Sequence, residues 1–159
     1  MKLAILAVAG LAASASAQSL DISGIATDGA ADVNAGNIVS AGAVTEIAFD
    51  LNFTAISPSW GSELFITITG PGGFVATAGG SDAPADLTFG WADSSGTYTF
   101  NGSLAVAGGA GTYTVFVGES FNDAGQDGFI NQGTVTLIPT PGAAALLGLG
   151  GVAATRRRR

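Results

Sequence analysis

The chain has 159 residues and contains neither cysteine nor histidine. Its basic residues are Lys2, Arg156, Arg157, Arg158 and Arg159, so the stretch 18–138 holds all 12 acidic residues and a formal charge of 0 − 12 = −12. This composition excludes disulfides, a Ser-His-Asp triad, the usual zinc sites and nucleic-acid binding, which needs cationic side chains against phosphate.

Residues 1–17 have the pattern of a secretory signal peptide. Lys2 supplies the positive start, and residues 3–13 are apolar apart from one glycine. Ala15 and Ala17 are the small residues that signal peptidase recognises, so cleavage would leave Gln18 first. The run is shorter than the ~20 residues of a membrane span. We predict an exported protein, the alternative being a buried N-terminal helix.

Residues 18–138 have the pattern of a single β domain. Apolar and polar residues alternate in 47–53, which is typical of a strand with one buried face. Glycine-containing turns separate further segments of this kind, and helix signals are nearly absent. Strands are predicted at 20–26, 47–53, 64–69, 74–78, 87–91, 97–100, 112–117 and 134–138. Short strands at this spacing predict an all-β, antiparallel β-sandwich.

Three motifs occur in order within 44–138. The strand 64–69 ends in Gly70-Pro71-Gly72-Gly73, the strand 111–117 carries Tyr113 between threonines, and an Asp/Gly loop follows at 122–128. This arrangement resembles the P-domain, the jelly-roll β-sandwich that accompanies proprotein convertases, although that family has Trp at the position of Tyr113. The resemblance implies a jelly-roll-like fold and a precedent for calcium in acidic loops. No protease domain accompanies the module.

The loop at 122–128 is the candidate metal site. Side-chain oxygens at close spacing can supply part of the ~6–8 oxygen ligands of calcium. The spacing is not that of an EF-hand, and a simple turn between strands is the alternative. The candidate calcium ligands are Asn122, Asp123, Gln126 and Asp127.

Two tryptophans are candidates for stacking on a sugar ring. Trp60 lies in a loop-like segment and is the better candidate for exposure, whereas Trp91 alternates with Phe89 and Leu87 and is predicted to lie in the core. Catalytic residues are not predicted. Paired carboxylates can hydrolyse glycosides, but nothing distinguishes one pair among the twelve acids.

The C-terminus combines three features in a fixed order. Pro139, Thr140 and Pro141 are followed by 13 residues of Gly, Ala, Leu and Val at 142–154, and then by Arg156–Arg159. As a helix this stretch would measure ~20 Å, against ~30 Å of hydrocarbon. It therefore suits a transient span, with its arginines on the cytoplasmic side.

This tail resembles the PEP-CTERM sorting signals, which have a Pro-Glu-Pro motif, a short apolar helix and an arginine-rich end. Thr140 stands where that family has Glu. The resemblance implies processing by an exosortase-type membrane transpeptidase and delivery to the cell surface or the exopolysaccharide matrix. A simple tail anchor is the alternative.

These patterns together predict an exported structural or adhesive protein of the cell surface or exopolysaccharide matrix. Its expected partners are signal peptidase, an exosortase-type enzyme and a surface glycan. A calcium-dependent carbohydrate-binding module is the alternative hypothesis, and a small secreted hydrolase has the least support. We expect the β-sandwich to lie between a signal helix at 1–17 and a short apolar helix in the tail at 139–159.

Overall fold

The computed structural model describes residues 16–82, 85–123 and 125–140. The two predicted flanking helices lie outside these ranges, as do Ala15, Pro141 and the four C-terminal arginines. Among the residues described, there is no helix with the length and apolarity needed to cross a membrane.

The described residues form ten strands in two sheets. Strands β1, β10, β4 and β8 lie side by side in one sheet, where β2 also pairs with β10, and the other sheet has the order β3, β9, β5, β6, β7. All pairings are antiparallel except the short one between β6 and β7. The strands are β1 Gln18–Asp21, β2 Ala26–Thr27, β3 Val33–Ser40, β4 Val44–Ala55, β5 Leu64–Gly70, β6 Phe74–Gly79, β7 Leu87–Thr88, β8 Gly96–Gly108, β9 Gly111–Glu119 and β10 Gly128–Pro139.

The order of pairing follows a nested pattern. β1 pairs with β10, β3 with β9, β4 with β8, and β5 with β6, so each early strand lies beside a late one. This wrapping of one long hairpin into two sheets gives the Greek keys of a jelly roll. The predicted all-β, antiparallel, jelly-roll-like sandwich is therefore confirmed.

The core lies between the two sheets and comes from alternate residues of the long strands. In β4, Ile47, Phe49, Leu51 and Phe53 are all buried, as the alternation predicts. Trp91 is buried as well, and its ring stacks on that of Phe53 with the centroids 5.8 Å apart. Among the described residues, the apolar core extends from Ile22 to Leu137 and therefore lies within residues 18–140.

Two predicted strands differ from the structure, and one strand of the structure is not predicted. The segment 20–26 divides into β1 and β2, because Gly24 turns the chain with a φ of 81°. The segment 87–91 pairs only over Leu87–Thr88, and Phe89 and Trp91 follow as buried residues of a bent connection. β3 is not predicted at all, because its Asn- and Gly-rich sequence has low β propensity.

Candidate functional site

Three loops meet at one end of the sandwich, and we call this region the acidic end. It comprises residues 27–33, 56–63 and 119–128. Backbone hydrogen bonds join the loops: the Ile56 amide donates to the Asp127 carbonyl at 2.8 Å, the Asp127 amide to the Thr27 carbonyl at 2.9 Å, and the Ser120 amide to the Glu63 carbonyl at 2.9 Å. The loops therefore form one connected surface rather than three independent ones.

Three carboxyl groups are buried at the acidic end. Glu63, Glu119 and Asp127 are 5%, 6% and 1% exposed. Burial of a carboxylate is costly unless a cation or hydrogen bonds compensate it, and 18–138 contains no basic side chain. The compensation available from this part of the protein is therefore hydrogen bonding, or protonation of the carboxyl groups themselves.

A serine hydroxyl links two of these carboxyl groups. Ser59 Oγ lies 2.6 Å from Glu63 Oε2 and 3.0 Å from Glu119 Oε2. Glu63 also accepts from the Trp60 amide at 3.1 Å, and Thr27 Oγ1 donates to Glu119 Oε1. A hydroxyl carries only one proton, so Ser59 cannot donate to both carboxylates at once. A proton on Glu119 would satisfy both contacts.

The pKa values of two of the buried carboxyl groups, Glu119 and Asp127, are raised above the ordinary values of these side chains. Burial raises the pKa of Glu119 and outweighs the hydrogen bonds from Thr27 and Ser59, which lower it. The neighbouring charges of Asp127 and Glu63 raise it further. Burial also raises the pKa of Asp127, against the opposing effect of the hydrogen bond from the Asp123 amide. Burial thus makes the charged form of both groups less favourable than it is in water.

The four predicted calcium ligands occupy two different environments. Asp127 is buried and accepts a hydrogen bond from the Asp123 amide at 3.3 Å, so these two acids lie together. The Gln126 side chain is exposed and donates to the Gly128 carbonyl at 3.2 Å. The Asn122 side-chain nitrogen can donate to the carbonyls of Asp28 and Asp123. The described residues contain no group of three or more acidic side chains arranged to hold a metal ion.

An open cleft lies beside these residues. It has a volume of about 530 Å³, and Thr27, Asp28, Asn122 and Gln126 contribute to its walls. The cleft thus presents amide and carboxylate groups to solvent, which are the groups that hydrogen-bond to sugar hydroxyls.

Large apolar side chains are exposed at the same end. Trp60 is 43% exposed and Phe121 is 58% exposed, and Ile56 is also exposed. The Trp60 amide donates a hydrogen bond to the Glu63 carboxylate, and the amide of Ser120, the residue before Phe121, donates to the Glu63 backbone carbonyl. The predicted stacking residue is therefore accessible beside the buried acids. Tyr113, by contrast, is buried and donates to the Gly109 carbonyl at 2.6 Å.

Sequence reasoning missed Glu63, Glu119, Ser59 and Thr27. For Glu119 a signal is present, because Tyr113, Val115 and Val117 point into the core and position 119 continues that alternation. Thr27, Ser59 and Glu63 carry no comparable signal. In the chain, Thr27, Ser59 and Glu63 precede Glu119 by 92, 60 and 56 positions respectively. Strand periodicity does not specify which of such distant residues come together.

Of the predicted processing motifs, the structure describes Ala17, Gln18, Pro139 and Thr140, which lie at the two ends of the domain. Ala17 precedes β1, where Gln18 pairs with Leu137 of β10. Pro139 is buried at the end of β10 opposite Val44, and the Thr140 amide donates to the Ala43 carbonyl at 2.7 Å. Among the residues that the structure describes, the first strand therefore begins at the predicted cleavage site and the last strand ends at the first residue of the predicted sorting motif.

Comparisons with known proteins give only structural similarities. The chain matches no protein-family model, and no curated protein matches it significantly. A subviral particle of infectious bursal disease virus VP2 is similar over 85% of this chain and 37% of its own, with 11% identity and a TM-score of 0.41. A structure of the Gt strain of the same virus is similar over 86% of this chain and 36% of its own, with 16% identity and a TM-score of 0.38. The chain thus spans less than two fifths of the length of either viral chain.

Proposed function

We propose that this protein is an exported structural or adhesive component of the cell surface or exopolysaccharide matrix, sorted through its C-terminal tail. The observation that carries the proposal is the segregation of charge. Every cation lies in the two terminal signals, and all 12 carboxylates lie between them. A lysine before one apolar run and four arginines after another are what a signal peptide and a sorting tail require.

The position of the folded unit supports this proposal. β1 begins at Gln18 and β10 ends at Pro139, so removal of residues 1–17 or of the residues after Thr140 would leave every described strand intact. The PEP-CTERM resemblance adds an exosortase-type enzyme as the processing partner. The proposal assigns no catalytic step to the domain.

Intact mass measurement of the exported protein tests the proposal. The full chain would be expressed in a Gram-negative host with and without an exosortase-type transpeptidase. We expect a mature protein that begins at Gln18 and, only with the transpeptidase, has lost the arginine-rich end. A variant with serine at Arg156–Arg159 should keep its tail and stay in the membrane fraction. Cytoplasmic protein carrying both Met1 and Arg159 would contradict the proposal.

A second candidate function is glycan binding at the acidic end, with or without calcium. The cleft that Asn122 and Gln126 line, together with the accessible Trp60 ring, favours this possibility. Co-sedimentation of residues 18–140 with exopolysaccharide from the producing organism, in calcium and in EDTA, is the test. Binding that is lost in Trp60→Ala and retained in Val75→Ala, an exposed apolar residue of β6, would support it.

A further inference from the structure

The end of β10 is fastened to the start of β4. Pro139 is buried and lies opposite Val44, which is 1% exposed. One residue further along the chain, the Thr140 amide and the Thr140 hydroxyl both donate to the Ala43 carbonyl, at 2.7 Å and 3.1 Å. The backbone of the chain is therefore still bound to the fold at the last residue that the structure describes.

A third hydrogen bond supports this contact. The register between β10 and β4 shifts after Ile138 and leaves Thr45 without a partner in the ladder, and the Thr45 hydroxyl donates to the Ile138 carbonyl at 3.3 Å. Three hydrogen bonds thus join residues 138–140 to residues 43–45, and we call this contact the clasp. Because each bond contributes a factor of about five to the equilibrium, the three together favour the closed clasp by about 100-fold.

The clasp contains the first two residues of the predicted sorting motif. The PEP-CTERM family, which the tail resembles, has Glu where this chain has Thr140. An ionised glutamate is an acceptor only, so it could not donate to the Ala43 carbonyl as the Thr140 hydroxyl does. The departure from the family's motif therefore adds a hydrogen bond that holds the motif on the fold.

The sequence has no free linker between the fold and the apolar run. Pro141 alone separates Thr140 from residues 142–154, and one residue spans at most ~3.6 Å. An enzyme at the membrane surface that cleaves beside the motif has to surround its backbone. The Thr140 amide, however, is bonded to the Ala43 carbonyl, and Pro139 is buried. Access must therefore come from the end of β10.

The other neighbour of β10 shows how far this end can open. Within the part of the chain that the structure describes, β1 pairs with β10 only as far as Leu137, which lies opposite Gln18. Residues 138–140 can therefore detach from β4 while Thr134 to Leu137 keep both of their neighbouring strands. Opening of a strand end in this way costs far less than unfolding of the domain.

We propose that the clasp is an autoinhibitory contact that controls processing of the tail. Residues 138–140 must detach from residues 43–45 before the sorting enzyme can act on the motif at 139–141. This inference rests on the proposed function, because it takes that motif to be the site of processing. The folded domain thus slows the loss of its own tail, and chains with an open clasp are processed first.

Timed processing of the full chain tests the inference. The substrate is exported first and the exosortase-type transpeptidase is induced afterwards, so that the domain folds before processing begins. Insertion of Gly-Ser-Gly-Ser between Ile138 and Pro139 moves the motif off the clasp, and we expect the tail to be lost about tenfold faster than in the wild type. Equal rates would overturn the inference and leave the proposed function standing. Processing of neither chain would overturn the proposed function and the inference with it.

Two matched variants separate opening of the clasp from general instability. Val44→Ala truncates the buried side chain opposite Pro139, and Val117→Ala makes the same truncation in the core part of β9. We expect Val44→Ala to be processed about fivefold faster than the wild type and Val117→Ala to stay close to it. Equal acceleration by both variants would show that global unfolding exposes the motif, which would overturn the inference.

Amide hydrogen exchange measures the clasp without any enzyme. In the exported chain with its tail, held in detergent micelles, we expect the Thr140 amide to exchange at least about tenfold more slowly than an unprotected amide. Val44→Ala should reduce this protection, whereas Val117→Ala should retain it. A Thr140 amide that exchanges as fast as a free peptide would overturn the inference, and this result would not bear on the proposed function.

Discussion

The buried carboxyl of Glu119 should make the domain less stable as the pH rises. Burial raises the pKa of this group in the folded state above its unfolded value, so the folded protein binds a proton that the unfolded chain has released. Its contribution to the free energy of unfolding is fully present below the pKa of the unfolded chain and is lost as the pH rises through the higher pKa of the folded state. Linkage limits the loss to about 1.4 kcal/mol per pH unit for one proton.

Glu119→Gln isolates this proton. The amide keeps the acceptor for Thr27 and supplies a permanent donor to Ser59, as the protonated acid does. We expect the variant to be more stable than the wild type at neutral pH and to show a shallower decline, by up to about 1.4 kcal/mol per unit. Asp127, whose pKa is also raised, retains a residual slope. Urea denaturation from about pH 4 to about pH 8 at constant ionic strength measures both slopes.

General repulsion among the carboxylates also grows with pH, so a matched control is essential. Asp50→Asn removes one negative charge from the exposed face of β4 without touching the buried group. If the two variants flatten the pH profile equally, the slope reflects overall charge, and the argument from burial and the shared Ser59 proton is refuted. A wild type that becomes more stable between about pH 5 and about pH 7 would refute it as well.

Three further predictions concern the same domain. Ser59→Ala removes the hydroxyl between Glu63 and Glu119 and should cost about 1–3 kcal/mol in urea denaturation at neutral pH, whereas Ser103→Ala on β8 should have little effect. Phe53→Ala opens a cavity against Trp91 and should cost about 3–5 kcal/mol, measured in the same way; a cost near zero would contradict the assignment of this pair to the core. Sodium chloride should raise the melting temperature by screening the 12 carboxylates, and a larger rise with calcium at equal ionic strength would reveal a specific site.

The long strands could be predicted because their side chains alternate strictly. β4 and β9 place successive apolar residues on one face, and that period is sufficient to identify a half-buried strand. β3 escaped prediction because its Asn and Gly residues are held in the sheet by pairing with β9, a tertiary contact that local propensity does not encode. The jelly-roll order likewise depends on which distant strands pair, and here it agrees with the fold expected from resemblance.

The acidic end could be predicted only in outline. The loop 122–128 was identified from its oxygen-bearing side chains, but the sequence does not distinguish Asp127, which the Thr27 backbone draws into the interior, from Gln126, which stays in solvent. The same limit applies to Ser59, whose importance arises from two glutamates, Glu63 in the 3₁₀ turn before β5 and Glu119 at the end of β9. No cationic side chain lies in 18–138 to pair with these acids, and the structure instead places the Ser59 hydroxyl between two carboxyls.

The distribution of these acids has a consequence for the charge of the domain. Three of the twelve carboxyls are buried, and burial raises the pKa of Glu119 and of Asp127, so that these two groups keep a proton to higher pH than they would in water. Each proton that they retain lowers the charge with which one domain repels another. Mild acid should therefore act in the same direction as salt, because both weaken the repulsion among the carboxylates of the folded domain. An anionic domain of this kind is thus suited to surroundings where protons or cations accumulate, since both stabilise its fold.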